Sequence, residues 1–173
     1  MTAVSGSVFT AAQFNTNLRD NLNETAPAKA STLGGYFVTT SLNQITERVG
    51  SRQTIVTSET TSSTVYTDLA TIGPTVTVTT GQLALVIWGA QMTNNTADTS
   101  ARVSVDVSGA SAIPADDVRG LAYDPATAGG ILQCSHAVFY DDLTPGSNTF
   151  TLKYRVGAGT GTFLRRRLIV LPY

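Results

Sequence analysis

Leu83-Ala84-Leu85-Val86-Ile87-Trp88 is an unbroken apolar run, preceded by Thr79-Thr80-Gly81-Gln82 and followed by Gly89. A membrane-spanning helix needs roughly 20 apolar residues, so this run is too short to cross a bilayer. It is also too tightly bounded by turn residues to read as a helix. A strand alternates its side chains between two faces, so a strand apolar at every position is covered on both. In a β-sandwich the partner sheet covers one face. In a chain this small, the cover expected for the other is a second copy of the chain.

Composition bounds the rest. A chain of 173 residues predicts one main domain plus an appendage. Charged residues make up 13% and the net charge is −1, which gives no electrostatic footprint for nucleic acid or an anionic membrane. The single Cys134 excludes an internal disulfide framework and fits a reducing compartment at synthesis. No basic-then-apolar leader opens the chain, so neither a signal peptide nor a membrane span is expected. Abundant Thr, Val, Ser and Gly lean towards β-structure and suit a structural part more than a free enzyme.

The helical signal lies near the start. Thr10 reads as an N-cap with Gln13 as its capping-box partner, and Val8 or Phe9 can staple the first turn. Phe14, Leu18 and Leu22 recur every four residues, with Arg19, Asp20 and Glu24 on the other face. Pro27 ends the segment. A helix this short must dock on something: either its own β-domain or a separate surface. A small-residue linker follows (26–35), then a short strand over Tyr36–Thr40. Leu42, Ile45 and Val49 form a second short strand or an extended arm.

From Gln53 the pattern is all β. Expected strands are Thr54–Thr57, Val65–Leu69, Thr75–Val78, the central 83–88 run, Ala101–Val107, Ile131–Tyr140, Phe150–Val156 and Leu168–Tyr173. Val103, Val105 and Val107 alternate with Arg102, Ser104 and Asp106. Long connections between strands, above all 109–130, point to an antiparallel β-sandwich of jelly-roll type with a short N-terminal α-helix and an extended arm.

Candidate chemistry is sparse. Cys134 and His136 share one face of a strand, where a buried Cys beside a His reads as core or interface rather than as a catalytic dyad. Asp116-Asp117 and Asp141-Asp142 lack the spacing of a calcium loop. Gly157–Gly161 lacks the Lys and helix of a phosphate loop and reads as a hairpin connection. Arg165-Arg166-Arg167 can bind a phosphate or an acidic glycan, or pair with Asp residues of the same or a neighbouring subunit. No enzyme activity, cofactor or metal is expected.

Residues Phe9–Leu22, running into Glu24–Ala30, resemble the N-terminal segment of short virion proteins of actinobacterial tailed phages: head fibres, capsid decoration proteins and minor tail proteins. Gly35–Thr40 through Asn43, Ile45, Glu47 and Arg48 is similar to the arm such proteins carry next. Leu143–Leu152 and the closing Arg166–Pro172 look like the trimeric jelly-roll knobs of phage fibres, which resemble the tumour-necrosis-factor and complement C1q fold. The resemblance implies a homotrimer on the virion surface. Residues 1–31 would be the anchor helix and linker, 32–53 an extended arm and 54–173 the knob. Residues 1–53 would attach to phage capsid or tail proteins, with Val8, Phe9, Phe14, Leu18, Arg19 and Leu22 at the anchor. Leu83, Leu85, Ile87, Trp88, Leu168 and Val170 are expected at the trimer interface. Capsid decoration or a head fibre is the first expectation. The alternative is a tail protein binding a host-surface glycan through Tyr123 and the loops 93–99 and 109–130.

Overall fold

The computed structural model describes residues 8, 10–23, 25 and 29–173. Two compact units emerge, Met1–Val49 and Gly50–Tyr173. In the first, helical turns Ala11–Phe14, Asn15–Arg19 and Asp20–Asn23 follow one another, the middle one π-helical. The capping box is present: the Gln13 amide donates to Thr10 Oγ1, and the Thr10 amide donates to Gln13 Oε1 at 3.0 Å. A π-turn takes more residues than an α-turn. Inserted between α-turns, it keeps residues spaced by four on one side, as Phe14, Leu18 and Leu22 are.

Within 32–53 the chain forms a hairpin of β1 (Tyr36–Ser41) and β2 (Gln44–Arg48), so of the two alternatives for the segment after Thr40 the structure has the short strand. Asn43 turns it at φ 58, a left-handed conformation that Asn tolerates better than most residues. Glu47 on β2 accepts the Ser31 and Thr32 amides, both at 3.0 Å, and so ties the linker to the hairpin.

The second unit is a sandwich of two antiparallel sheets. One runs β5 (Thr75–Thr80), β10 (Gly146–Val156), β7 (Ala101–Gly109), β8 (Leu121–Tyr123). The other runs β3 (Ser51–Ile55), β11 (Gly161–Pro172), β6 (Ala84–Asn94), β9 (Ile131–Tyr140), with β4 (Glu59–Thr61) also on β11. The apolar run lies in β6, and its alternation divides it cleanly. Ala84, Val86 and Trp88 enter the core with Met92, Leu168 and Val170, against Val103, Val105, Phe150, Leu152 and Tyr154 from the facing sheet. Val65–Leu69 is not a strand: Thr67 alone makes a bridge, to Tyr154, and Leu69 alone is buried.

Two charge networks lock the connections. Arg166 is 0% exposed, pairs with Glu59 at 3.0 Å and stacks its guanidinium over Tyr154 at 5.6 Å. Glu59 also accepts the Thr71 amide, so one buried arginine holds β4 and the 57–73 connection on β11. On the other sheet Arg155 and Arg102 converge on Asp117, with Tyr66 donating to it at 2.9 Å, and tie the long 109–130 connection to β7 and β10. Hydrogen bonds from the Arg155 guanidinium, then the Tyr66 hydroxyl and the Arg102 charge, outweigh partial burial and hold the Asp117 carboxyl below its ordinary range. Burial, then the Asp117 carboxylate, pushes the Tyr66 phenol up to about 12.

Glu59→Ala strands the Arg166 guanidinium in the core and is expected to cost about 3–5 kcal/mol by denaturant titration. The double change Glu59→Gln, Arg166→Met restores a filled, uncharged site and recovers most of that loss. Because the Asp117 pKa is lower folded than unfolded, its network adds stability above the unfolded value of about 3.9 and loses it as pH falls through the folded value. Thermal midpoints of wild type and Asp117→Asn, measured from about pH 6 down to about pH 2, should therefore differ most at the upper end and converge at the lower.

Candidate functional site

The outward face of the β3–β11–β6–β9 sheet gathers the features that the core does not use. Ladder register aligns Leu171, Leu85 and Phe139 in one row across β11, β6 and β9, and Ile169, Ile87 and Ala137 in the next. All six lie on the side away from the core, and Phe139 is 53% exposed. Leu83 continues the patch at its end, 37% exposed. The next row, Arg167, Gly89 and Ser135, begins a polar half.

Alternation separates the six residues expected at a subunit contact. Leu83, Leu85 and Ile87 stand on or beside the outward face. Trp88, Leu168 and Val170 are buried between the sheets and belong to the core, because their parity in β6 and β11 is that of Val86. Ile169, Leu171 and Phe139 take their place on the outward side. The anchor residues lie in the other unit: Val8, Leu18 and Leu22 are 85%, 46% and 65% exposed. Phe14 is half-exposed, Arg19 pairs with Asp20 at 2.9 Å, and Phe9 falls outside the described residues.

The arginine run is split by a β-bulge. Leu164 pairs with Gln91 and Arg167 with Gly89, so Arg165 and Arg166 together oppose Ala90. Arg165 takes φ 51, a strained value for a residue with a side chain. The bulge sends Arg166 inward and leaves Arg165 and Arg167 both exposed outward. Gly89, opposite Arg167, has no room for a side chain: a Cβ there would meet the Cys134 carbonyl oxygen at 2.6 Å. The result is a groove of about 300 Å³ bordered by Ile87, Ile169, Gln133, Ser135, Arg165 and Arg167.

Cys134 and His136 share the inward face of β9. The His136 ring sits edge-on to Trp88 at 5.1 Å, and burial pushes the Cys134 thiol up, which makes it a poor nucleophile at neutral pH. Among the described residues no three His, Cys, Asp or Glu side chains gather where they could hold a metal. Tyr123 packs against the core rather than standing out at a loop tip. The arginine run was legible as a candidate for binding an anion, but not which two arginines form the cationic groove, because nothing in Arg-Arg-Arg marks which residue a bulge will turn inward.

No family model and no curated protein matches the chain. Among solved structures it is similar to Eiger TNF from S. frugiperda, with a TM-score of 0.51 at 14% identity, over 73% of this chain and 92% of that one. It is more distantly similar to infectious bursal disease virus Gx strain (TM-score 0.39, 10% identity, 77% of this chain and 39% of that one). A carbohydrate-binding module from Cellvibrio mixtus lichenase 5A, in complex with cellotriose, gives a TM-score of 0.34 at 17% identity over 86% of this chain and 95% of that one. The first likeness shows the fold alone, an antiparallel jelly-roll sandwich of TNF type.

Proposed function

We propose that this chain is a non-enzymatic structural protein of a tailed-phage virion, a homotrimer attached through its N-terminal segment as a capsid decoration or head fibre. The observation that carries the reading is the apolar half of the outward sheet face, Leu83, Leu85, Ile87, Phe139, Ile169 and Leu171, which no strand of the sandwich covers. Contiguous apolar patches of this kind mark interaction surfaces. It adjoins β9, a ten-residue edge strand with Ile131 66% exposed. A long apolar edge templates unwanted pairing unless something covers it. Further copies around a closed symmetry axis supply that cover.

Two other features support the reading. The N-terminal turns present Val8, Leu18 and Leu22 to solvent, and three weak anchors joined in one trimer hold a surface far better than one. The likeness of Phe9–Leu22 to virion attachment segments supplies the surface: a phage capsid or tail, reached after assembly in the host cytoplasm.

Sedimentation of the full chain should give three times its 18.1 kDa mass. Ile87→Asp puts a carboxylate into the apolar contact and should weaken the trimer about a hundredfold or more, with the circular dichroism of the fold retained. A folded Ile87→Asp chain that stays trimeric overturns the interface. Leu18→Asp with Leu22→Asp should leave the trimer intact and abolish its incorporation into particles. Gold label on purified particles should decorate the head, whereas particles without label anywhere overturn the virion role.

A further inference from the structure

Five of the eight cations of the sandwich are paired with carboxylates. Arg102 and Arg155 hold Asp117, Arg119 holds Asp116, Lys153 holds Asp68 and Arg166 holds Glu59. Among the described residues of this unit, Arg52, Arg165 and Arg167 have no carboxylate partner, and all three line grooves on the outward face of one sheet. That sheet's long strands β3, β6, β9 and β11 contain no Asp or Glu, so ladder neighbours cannot neutralise them. Arg165 donates only to Gln133 Oε1, at 3.4 Å. The chain as a whole carries net charge −1, so an uncompensated cationic cluster is a local choice rather than a consequence of composition.

The backbone is shaped to make this cluster. The bulge of β11 brings Arg165 and Arg167 to one side at the expense of a left-handed Arg165, and strain of this sort collects at functional positions. Gly89 opposite Arg167 opens the groove between them and β9. One wall is aliphatic, from Ile87 and Ile169, and the rim is polar, from Gln133 and Ser135. A small concave site with a few convergent polar groups is the usual form of a ligand site. Guanidinium groups match the planar, two-oxygen geometry of a carboxylate.

We propose that this groove is a carboxylate-binding site. Arg165 and Arg167 take the anionic group, the Gln133 amide nitrogen and the Ser135 hydroxyl donate hydrogen bonds to its remaining lone pairs, and Ile87 and Ile169 border the carbon skeleton beside it. Arg52, on the far side of Ile169, adds its field to the approach. All of these residues belong to one chain, and Ile87 and Ile169 stand where the groove meets the apolar patch proposed as the subunit contact. The carboxylate comes from a compact organic acid or from a side chain of a second copy, and the chemistry is the same for both.

Citrate, titrated into the full chain at constant ionic strength, is the probe, and the arginine Nε–H resonances are the readout. Saturable shifts confined to Arg165, Arg167 and their groove neighbours are expected, with an affinity about tenfold or more lower in Arg167→Gln. Shifts that follow protein concentration in place of citrate, and vanish in Arg167→Gln, assign the carboxylate to a second copy. Resonances that respond to neither, or that respond equally in Arg167→Gln, overturn the site. Sedimentation of the same samples keeps the two readings apart. A monomeric chain that still binds citrate sinks the trimer alone, and a trimer without saturable shifts sinks the site alone.

Discussion

The ladder between β6 and β11 is the constraint on which the rest of the structure depends. These are the two central strands of their sheet, and their inward side chains form the floor of the core. Trp88, Met92, Leu168 and Val170 are all essentially solvent-free, and burying an apolar side chain of that size contributes about 1.5–3 kcal/mol. The single irregularity in the ladder has a defined job. Without the extra residue, the strand on one side of the bulge would be out of phase with the other. Phe163 and Arg166 could not both face inward, and either the aromatic packing against Tyr154 or the pairing with Glu59 would be lost.

Much of this was legible in the residues. The period-two alternation of Val103, Val105 and Val107, and of Phe150, Leu152, Tyr154 and Val156, gave β7 and β10, because each strand has one face towards the other sheet. The bounds of β9 match the run Ile131–Tyr140. The capping box of Thr10 and Gln13 forms as its spacing implies. What pattern could not resolve was parity. In a run apolar at every position, which alternate set lies inside depends on register with β9 and β11, and that is a long-range property. Trp88, Leu168 and Val170 therefore looked as eligible for a subunit contact as Leu85. β4 escaped notice because Glu59-Thr60-Thr61 has no apolar residue, and what holds it is the ladder with β11 and the pairing of Glu59 with Arg166. The bulge was equally hidden, since three successive arginines carry no mark of which one will turn inward.

The two charge networks differ in kind. Asp117 and its arginines sit near solvent, where salt screens and side-chain freedom weakens each pair, so their effect lies mainly in fixing one conformation of a long connection. Arg166 and Glu59 are shielded, and removing either leaves a charge with nowhere to go. A buried ion pair is weak evidence for net stability, yet it sharply disfavours any packing in which β4 leaves β11. The outward arginines follow neither pattern, which is why their surroundings point to a partner.

The position of β11 has a consequence for biosynthesis. It follows every other strand of the sandwich in chain order, yet it lies between β3, the first of them, and β6. Its register joins Arg166 to Ile55 and Val170 to Ser51, contacts separated by more than half the chain. Until residues 161–172 leave the ribosome, β3 has no ladder partner and β6 has only β9. The sheet whose outer face is apolar therefore closes only after all of its other strands have been made. Such non-local closure is slow by nature. Through that interval the unpaired edges of β3 and β6 stand open to neighbouring nascent chains, and the order of synthesis, rather than the finished fold, sets the moment of greatest exposure.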